Sequence, residues 1–160
     1  MHSELHNTKK IASTCAALIC AITLSITGCN SSAKREQDKQ ALLEGIRKGD
    51  TAIVRTLLDQ GADRETRNES ERTPLMLASL KGQEAMVSLL LERGADLKAT
   101  DPEGMTPLLW AAFGGNTKVV KLLISKGADV HAKDRKGQGA LEWARDHPDV
   151  VVALKQAGAK

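Results

Sequence analysis

Three thiols and four imidazoles are the side chains here best suited to nucleophilic or metal chemistry, and their placement removes most of it. Cys15 and Cys20 lie inside an apolar run, Ile11 to Thr27, and His2 and His6 precede that run. His131 and His147 have no Cys and no second His at metal-ligand spacing, which reads both as solvated surface residues. No G-x-S-x-G, no phosphate loop and no H-E-x-x-H is present, and Gly114-Gly115 marks a helix break rather than a phosphate cradle. The expectation is therefore no enzyme, no metal and no cofactor. Cys29 stands apart. It closes the stretch Ile26-Thr27-Gly28-Cys29, where a thiol sits beside small residues.

The surroundings of Cys29 say what would position it. Lys9 and Lys10 stand directly before the apolar run, which is seventeen residues long and diluted by Ser13, Thr14, Thr23, Ser25 and Thr27. A membrane-spanning helix wants about 20 strongly apolar residues. A secretory h-region needs only about 7–15, followed by small residues. The pattern predicts a cleaved signal over residues 1–28. Its end resembles the lipobox of bacterial lipoproteins. That resemblance implies alkylation of the Cys29 thiol by a diacylglycerol, cleavage before it and acylation of the new amino group. Two or more acyl chains give durable anchoring. In that family's sorting pattern the Asn30 that follows implies the outer membrane, facing the periplasm. Residues 30–39, NSSAKREQDK, are polar and without periodicity, and 29–39 is expected as a lipidated Cys with a flexible tether.

After Cys29 no further Cys occurs, so the domain must hold by packing rather than by disulfides. The 132 residues from Cys29 onward suffice for one core and carry a net charge of +2. That near balance, with only Trp110, Trp143 and Phe113 as aromatics, excludes a dedicated nucleic-acid binder.

The rest of the chain repeats with a period of 33. Thr73-Pro-Leu recurs at Thr106, Gly-Ala-Asp at Gly61, Gly94 and Gly127, and a further glycine at Gly49, Gly82 and Gly115. Val54, Val87 and Val120 share the period, as do Leu57, Leu90 and Leu123. Thr73 and Thr106 are N-cap residues, with Pro74 and Pro107 at the first helical position. Gly82 and Gly115 break a first short helix, a second helix carries the Val and Leu columns on one face, and Gly94 and Gly127 end it. Asp101-Pro-Glu-Gly104 and Asp134-Arg-Lys-Gly137 are turn chemistry at the tips of projecting fingers. These units resemble the ankyrin repeat, which implies an all-α solenoid with hairpin-like loops over 40–160. Four units are expected, 40–72, 73–105, 106–138 and 139–160. One unit cannot bury its own apolar face, so the ends need polar caps. Glu44 opens the column Leu77, Trp110, Trp143, and Lys155 closes the column Leu58, Leu91, Ile124 across a two-residue deletion. Trp110 and Trp143 thus read as stacked core.

The resemblance implies one protein partner, bound by a monomer through finger tips and the exposed face of the first helices. By register these are Glu69, Ser70 and Arg72 on the first finger, Pro102, Glu103 and Met105 on the second, and Arg135, Lys136 and Gln138 on the third. The helix positions are Arg47, Lys48, Leu80, Lys81, Phe113 and Gly114. Leu80 and Phe113 are equivalent. They form either an exposed apolar hot spot with Met105 or a lid folded back over the helix ends. The first finger nets zero charge, the second −1 and the third +2. Small lipid-anchored proteins of this type resemble immunity partners that occlude antibacterial effectors such as phospholipases. The alternative is an envelope scaffold like the periplasmic ankyrin proteins associated with peroxide defence.

Overall fold

The computed structural model describes residues 30–160, with side chains from residue 32 onward. Cys29 and the apolar run before it lie outside the described residues. Residues Asp38–Lys160 form one compact unit. Eight helices fill the described residues: α1 (Asn30–Lys48), α2 (Thr51–Asp59), α3 (Pro74–Leu80), α4 (Glu84–Glu92), α5 (Pro107–Phe113), α6 (Thr117–Ser125), α7 (Ala140–Trp143) and α8 (Pro148–Gln156). Among these residues the only β pairing is an isolated antiparallel bridge between Lys133 and Gly139. None of the helices described is long and apolar enough to cross a membrane.

Each helix pair is built by the local chemistry read above. The Thr73 hydroxyl accepts the Met76 N–H and the Thr106 hydroxyl the Leu109 N–H, at 3.4 and 3.3 Å. Each proline then sits in the first turn, where no donor is missed. Gly82 and Gly115 turn the chain at φ 69° and 70°, conformations that an L side chain resists. In the last pair Gly139 replaces Thr, and the Glu142 carboxylate accepts its N–H at 2.9 Å.

The short first helices α3, α5 and α7 pack side by side in one layer, and α2, α4, α6 and α8 in the other. Val54, Val87 and Val120, with Leu90, Leu123 and Leu154, are wholly buried between the layers. Burying a Val or Leu side chain stabilises by about 1.5–3 kcal/mol, so the repeated columns supply most of the stability. Ile53 shows the end effect. Its equivalents Met86 and Val119 are buried, yet Ile53, in the first repeat, is 48% exposed.

The expectation of a flexible tether over residues 30–39 is corrected. These residues are the first half of α1. Ala33, Lys34, Arg35, Glu36 and Gln37 are strong helix formers, and their lack of apolar periodicity reflects exposure on all sides rather than absence of a helix.

A side-chain ladder ties each repeat to the next. Gln83 Nε2 donates to the Ile46 carbonyl at 2.8 Å, and Asn116 Nδ2 to the carbonyls of Ser79 and Leu80 at 2.9 and 2.8 Å. His147 occupies the third rung, with Nε2 3.2 Å from the Phe113 carbonyl. That oxygen only accepts, so the bond uses the tautomer with the proton on Nε2. The reading of His147 as a free surface residue is thereby corrected. Across the two-residue deletion it stands where Asn116 stands one repeat earlier.

Candidate functional site

The fingers and the exposed sides of the first helices lie on one face, the side that is concave in stacked-repeat solenoids, and three Asx turns shape the finger bases. The side-chain oxygen of Asn68 accepts the N–H groups of Ser70 and Arg72, that of Asp101 those of Glu103 and Met105, and that of Asp134 those of Lys136 and Gln138, at 2.8–3.1 Å. The Asp of each Gly-Ala-Asp motif repeats the device one turn earlier. Asp63, Asp96 and Asp129 accept from Glu65, Lys98 and His131 at 2.9, 2.8 and 2.8 Å. Six side chains thus fix the backbone of three fingers, a pre-organisation that lowers the ordering cost of binding. The third finger also leans on the second, because the Arg135 N–H donates to the Glu103 carbonyl at 2.9 Å.

Most of the residues named from sequence meet solvent on this face. Arg47, Lys48, Glu69, Ser70, Lys81, Pro102, Glu103, Phe113, Arg135 and Lys136 are exposed. Arg72, Leu80, Gly114 and Gln138 are partly buried. Met105 is not part of the surface. It is 2% exposed and lies in the core, which corrects its assignment as a contact residue. Its own N–H is tied to the Asp101 carboxylate, so the finger base turns the side chain inward. Leu80 packs against the core as a partly buried residue. Phe113 is different. It is 46% exposed, yet it stands edge-on to both Trp110 and Trp143, with ring centroids 5.7 and 5.5 Å away. Both alternatives therefore hold in part: Leu80 packs, and Phe113 is an exposed aromatic held rigid from below. Trp110 is core, at 8% exposure.

The charges of the first finger are unevenly placed along it. Arg64 and Arg67 are engaged by backbone carbonyls: Arg64 donates to Gly94, and Arg67 to Glu71 and Thr100. The Glu65 carboxylate accepts the Asp96 N–H at 2.9 Å. Arg72 lies over the Trp110 ring, its guanidinium carbon 3.9 Å from the centroid. The tip itself carries Glu69 and Glu71, an acidic pair within a finger whose charges still sum to zero. Glu71 also holds φ at 57°, where the other two fingers place Gly104 and Gly137.

Behind this tip is a cleft of about 600 Å³, floored by Leu43, Ile46 and Leu77 and edged by Glu44, Arg47 and Lys81. Its charged rim is internally paired. Arg47 grips Glu44 with two bonds of 2.7 Å, and Lys48 reaches the same carboxylate at 3.2 Å. The Arg47 bond, then that of Lys48, holds the Glu44 carboxyl down to about 2, and Glu44 in turn raises Arg47. Lys81 Nζ donates to the Arg47 carbonyl at 3.2 Å. Among the described residues no group of His, Cys, Asp and Glu is arranged to hold a metal ion.

Comparison with known families agrees with this geometry. Residues 10–101 match the family model described as ankyrin repeats (3 copies), and residues 103–135 match that of a single ankyrin repeat. The first match begins inside the stretch read in sequence as a signal. No match is found among curated proteins.

Proposed function

Because the chain belongs to the ankyrin-repeat family, whose repeats make protein-protein interaction modules, we propose that it is a lipid-anchored binding protein of a bacterial envelope that grips and neutralises a toxic effector. The observation that carries the binding role is the concave face itself. Its fingers are fixed by six Asn and Asp side chains, and its one Phe is exposed on a rigid aromatic base. Occluding an active site needs no chemistry from the binder, only a surface that loses little entropy on docking. Anchoring through Cys29 rests on the Ile26-Thr27-Gly28-Cys29 stretch and on the charged and apolar segments before it. The effector reading rests on resemblance to small lipid-anchored proteins with such repeats.

The test is purification of the tagged full chain from detergent-solubilised envelopes. One stoichiometric partner is expected, an enzyme whose activity falls when the chain is added back. A partner whose activity is unchanged by the chain removes the effector reading. Radiolabelled palmitate should enter the full chain and be lost in Cys29→Ala. Equal labelling of the variant removes the anchor.

A further inference from the structure

We propose that the C-terminal half of the concave face receives an acidic segment of the partner that carries one apolar anchor residue. This rests on the concave face being the partner surface and names the chemistry of what occupies it. At the start of the stack, Glu44, Arg47 and Leu77 line a cleft together with residues 67–71 of the first finger. Two periods of 33 carry those helix positions to Trp110, Phe113 and Trp143, and the finger to residues 133–137. The equivalent helix positions there supply an aromatic floor in place of an ion-paired rim. The Phe113 contacts with Trp110 and Trp143 show that this floor is formed. The equivalent finger carries Lys133, Arg135 and Lys136, all exposed and none in an ion pair among the described residues.

Each part selects a chemistry. A half-exposed Phe held edge-on by two indoles offers a preformed apolar contact. Three unpaired cations beside it favour carboxylates and raise the rate of encounter with an acidic surface. The other finger tips carry Glu69, Glu71 and Glu103, whereas the third presents three exposed cations without an ion pair among the described residues, so an acidic segment is favoured at that end of the face. Nucleic acid fits less well, because its regularly spaced phosphates would run from the basic finger onto those acidic tips.

The experiment places the photo-crosslinker p-benzoylphenylalanine at the partly buried Gln138 of the full chain, in cells that make the protein natively. Crosslinked peptides are sequenced by mass spectrometry. The expected product is a protein segment with more Asp and Glu than Lys and Arg. Its yield should fall about tenfold or more in R135E/K136E, the loss typical of a binding hot spot, and persist in R135K/K136R. Matching melting curves establish that the charge-reversed chain is folded, and R135Q/K136Q replaces it if it is not. A basic or neutral segment, a nuclease-sensitive product, or a yield unchanged by charge reversal overturns the proposal. A second chain carries the probe at Ser70. Crosslinks from Ser70 but not from Gln138 remove this inference and leave the concave face as the binding surface. No protein captured from either position removes both.

Discussion

The carboxylate of Asp101 accepts the indole N–H of Trp110 at 2.9 Å, which pins the base of the second finger to α5. Its other oxygen accepts the N–H groups of Glu103 and Met105 at 3.1 and 2.8 Å, and Arg72 covers the indole ring with its Nε 3.9 Å from the carboxylate. Asp101 is 4% exposed, so each of these bonds replaces water that cannot reach it. Asp101→Asn keeps the backbone acceptor, as Asn68 shows in the first finger, but sets an amide donor against the indole donor. It should cost about 1–3 kcal/mol in urea unfolding. Trp110→Phe should cost less in the Asp101→Asn background than in the native chain, since it removes the indole donor that clashes there. Equal stability of Asp101→Asn and the native protein would remove the pinning role.

Gly115 has φ of 70°, and a Cβ there would meet His147 Nδ1 at 2.6 Å. Gly127 has φ of 92° with nothing within 4 Å of its missing Cβ. Both lose about 1 kcal/mol on substitution by Ala, the cost of a left-handed residue, but only Gly115→Ala must also displace the imidazole from the Phe113 carbonyl. Its melting temperature should therefore fall further than that of Gly127→Ala, by several degrees. In a His147→Ala background the excess should vanish. An excess that survives there would show that the rung formed by His147 is irrelevant.

The repeat architecture was legible because its determinants are local and periodic. A Thr-Pro start, a glycine turn and an apolar column each act within a few residues and recur every 33. What the sequence hid depends on contacts between repeats. Met105 has the composition of a hot spot, yet its N–H is drawn to Asp101 and its side chain turns into the core. His147 looked free because its bond partner, Phe113, lies 34 residues away. Summing charges over the first finger missed that Arg64, Arg67 and Arg72 are engaged elsewhere. Alignment of Gln83, Asn116 and His147 across the deletion was the available signal for the ladder. Polar residues 30–39 misled for another reason: a helix exposed all round has no apolar period to detect.

Glu71 occupies a left-handed conformation that the other fingers give to glycine. Its carbonyl accepts from Arg67 at 2.6 Å, which holds the strained residue in place. An L residue there costs about 1–2 kcal/mol, partly offset by the greater freedom of glycine in the unfolded chain. Glu71→Gly should raise stability by about 0.5–1 kcal/mol, read as a higher urea midpoint at unchanged slope. A lower midpoint would mean that the Glu71 side chain stabilises the finger by contacts absent from this structure.

The lowered Glu44 carboxyl sets a pH dependence with a definite sign. Its group is held at about 2 against an ordinary 4.5, first by the Arg47 hydrogen bond and then by Lys48. A depressed carboxyl stabilises the fold above the unfolded value and loses that contribution as pH falls through the folded one. The window is therefore from about 4.5 down to about 2. Because the side chains of Glu44 and Arg47 are 42% and 67% exposed, solvent screens the pair and the gain is small. Glu44→Gln should lower the melting temperature slightly at pH 6 in low salt, and the difference should shrink as pH falls toward 2. By NMR the Glu44 carboxyl should titrate near 2, and in Arg47→Ala it should move up toward 4.5. A midpoint unmoved in that variant would mean that Arg47 is not the cause.

Phe113 and Met105 lie on one face by register but are set apart by burial, and the contrast separates binding from folding. Met105 is 2% exposed, so Met105→Ala should cost about 2–5 kcal/mol, as core truncations do. Its loss of partner capture should follow the fraction unfolded. Phe113 is 46% exposed and rests on two indoles, so Phe113→Ala should cost only about 1–2 kcal/mol, below the full-burial range. It should also shift tryptophan emission, because Trp110 and Trp143 both lose an edge contact. Capture by the fully folded Phe113→Ala chain should still weaken by about tenfold or more. Isothermal titration well below the melting temperature distinguishes the two cases. A folded Phe113→Ala chain that binds its partner as tightly as the native one would assign Phe113 to packing alone.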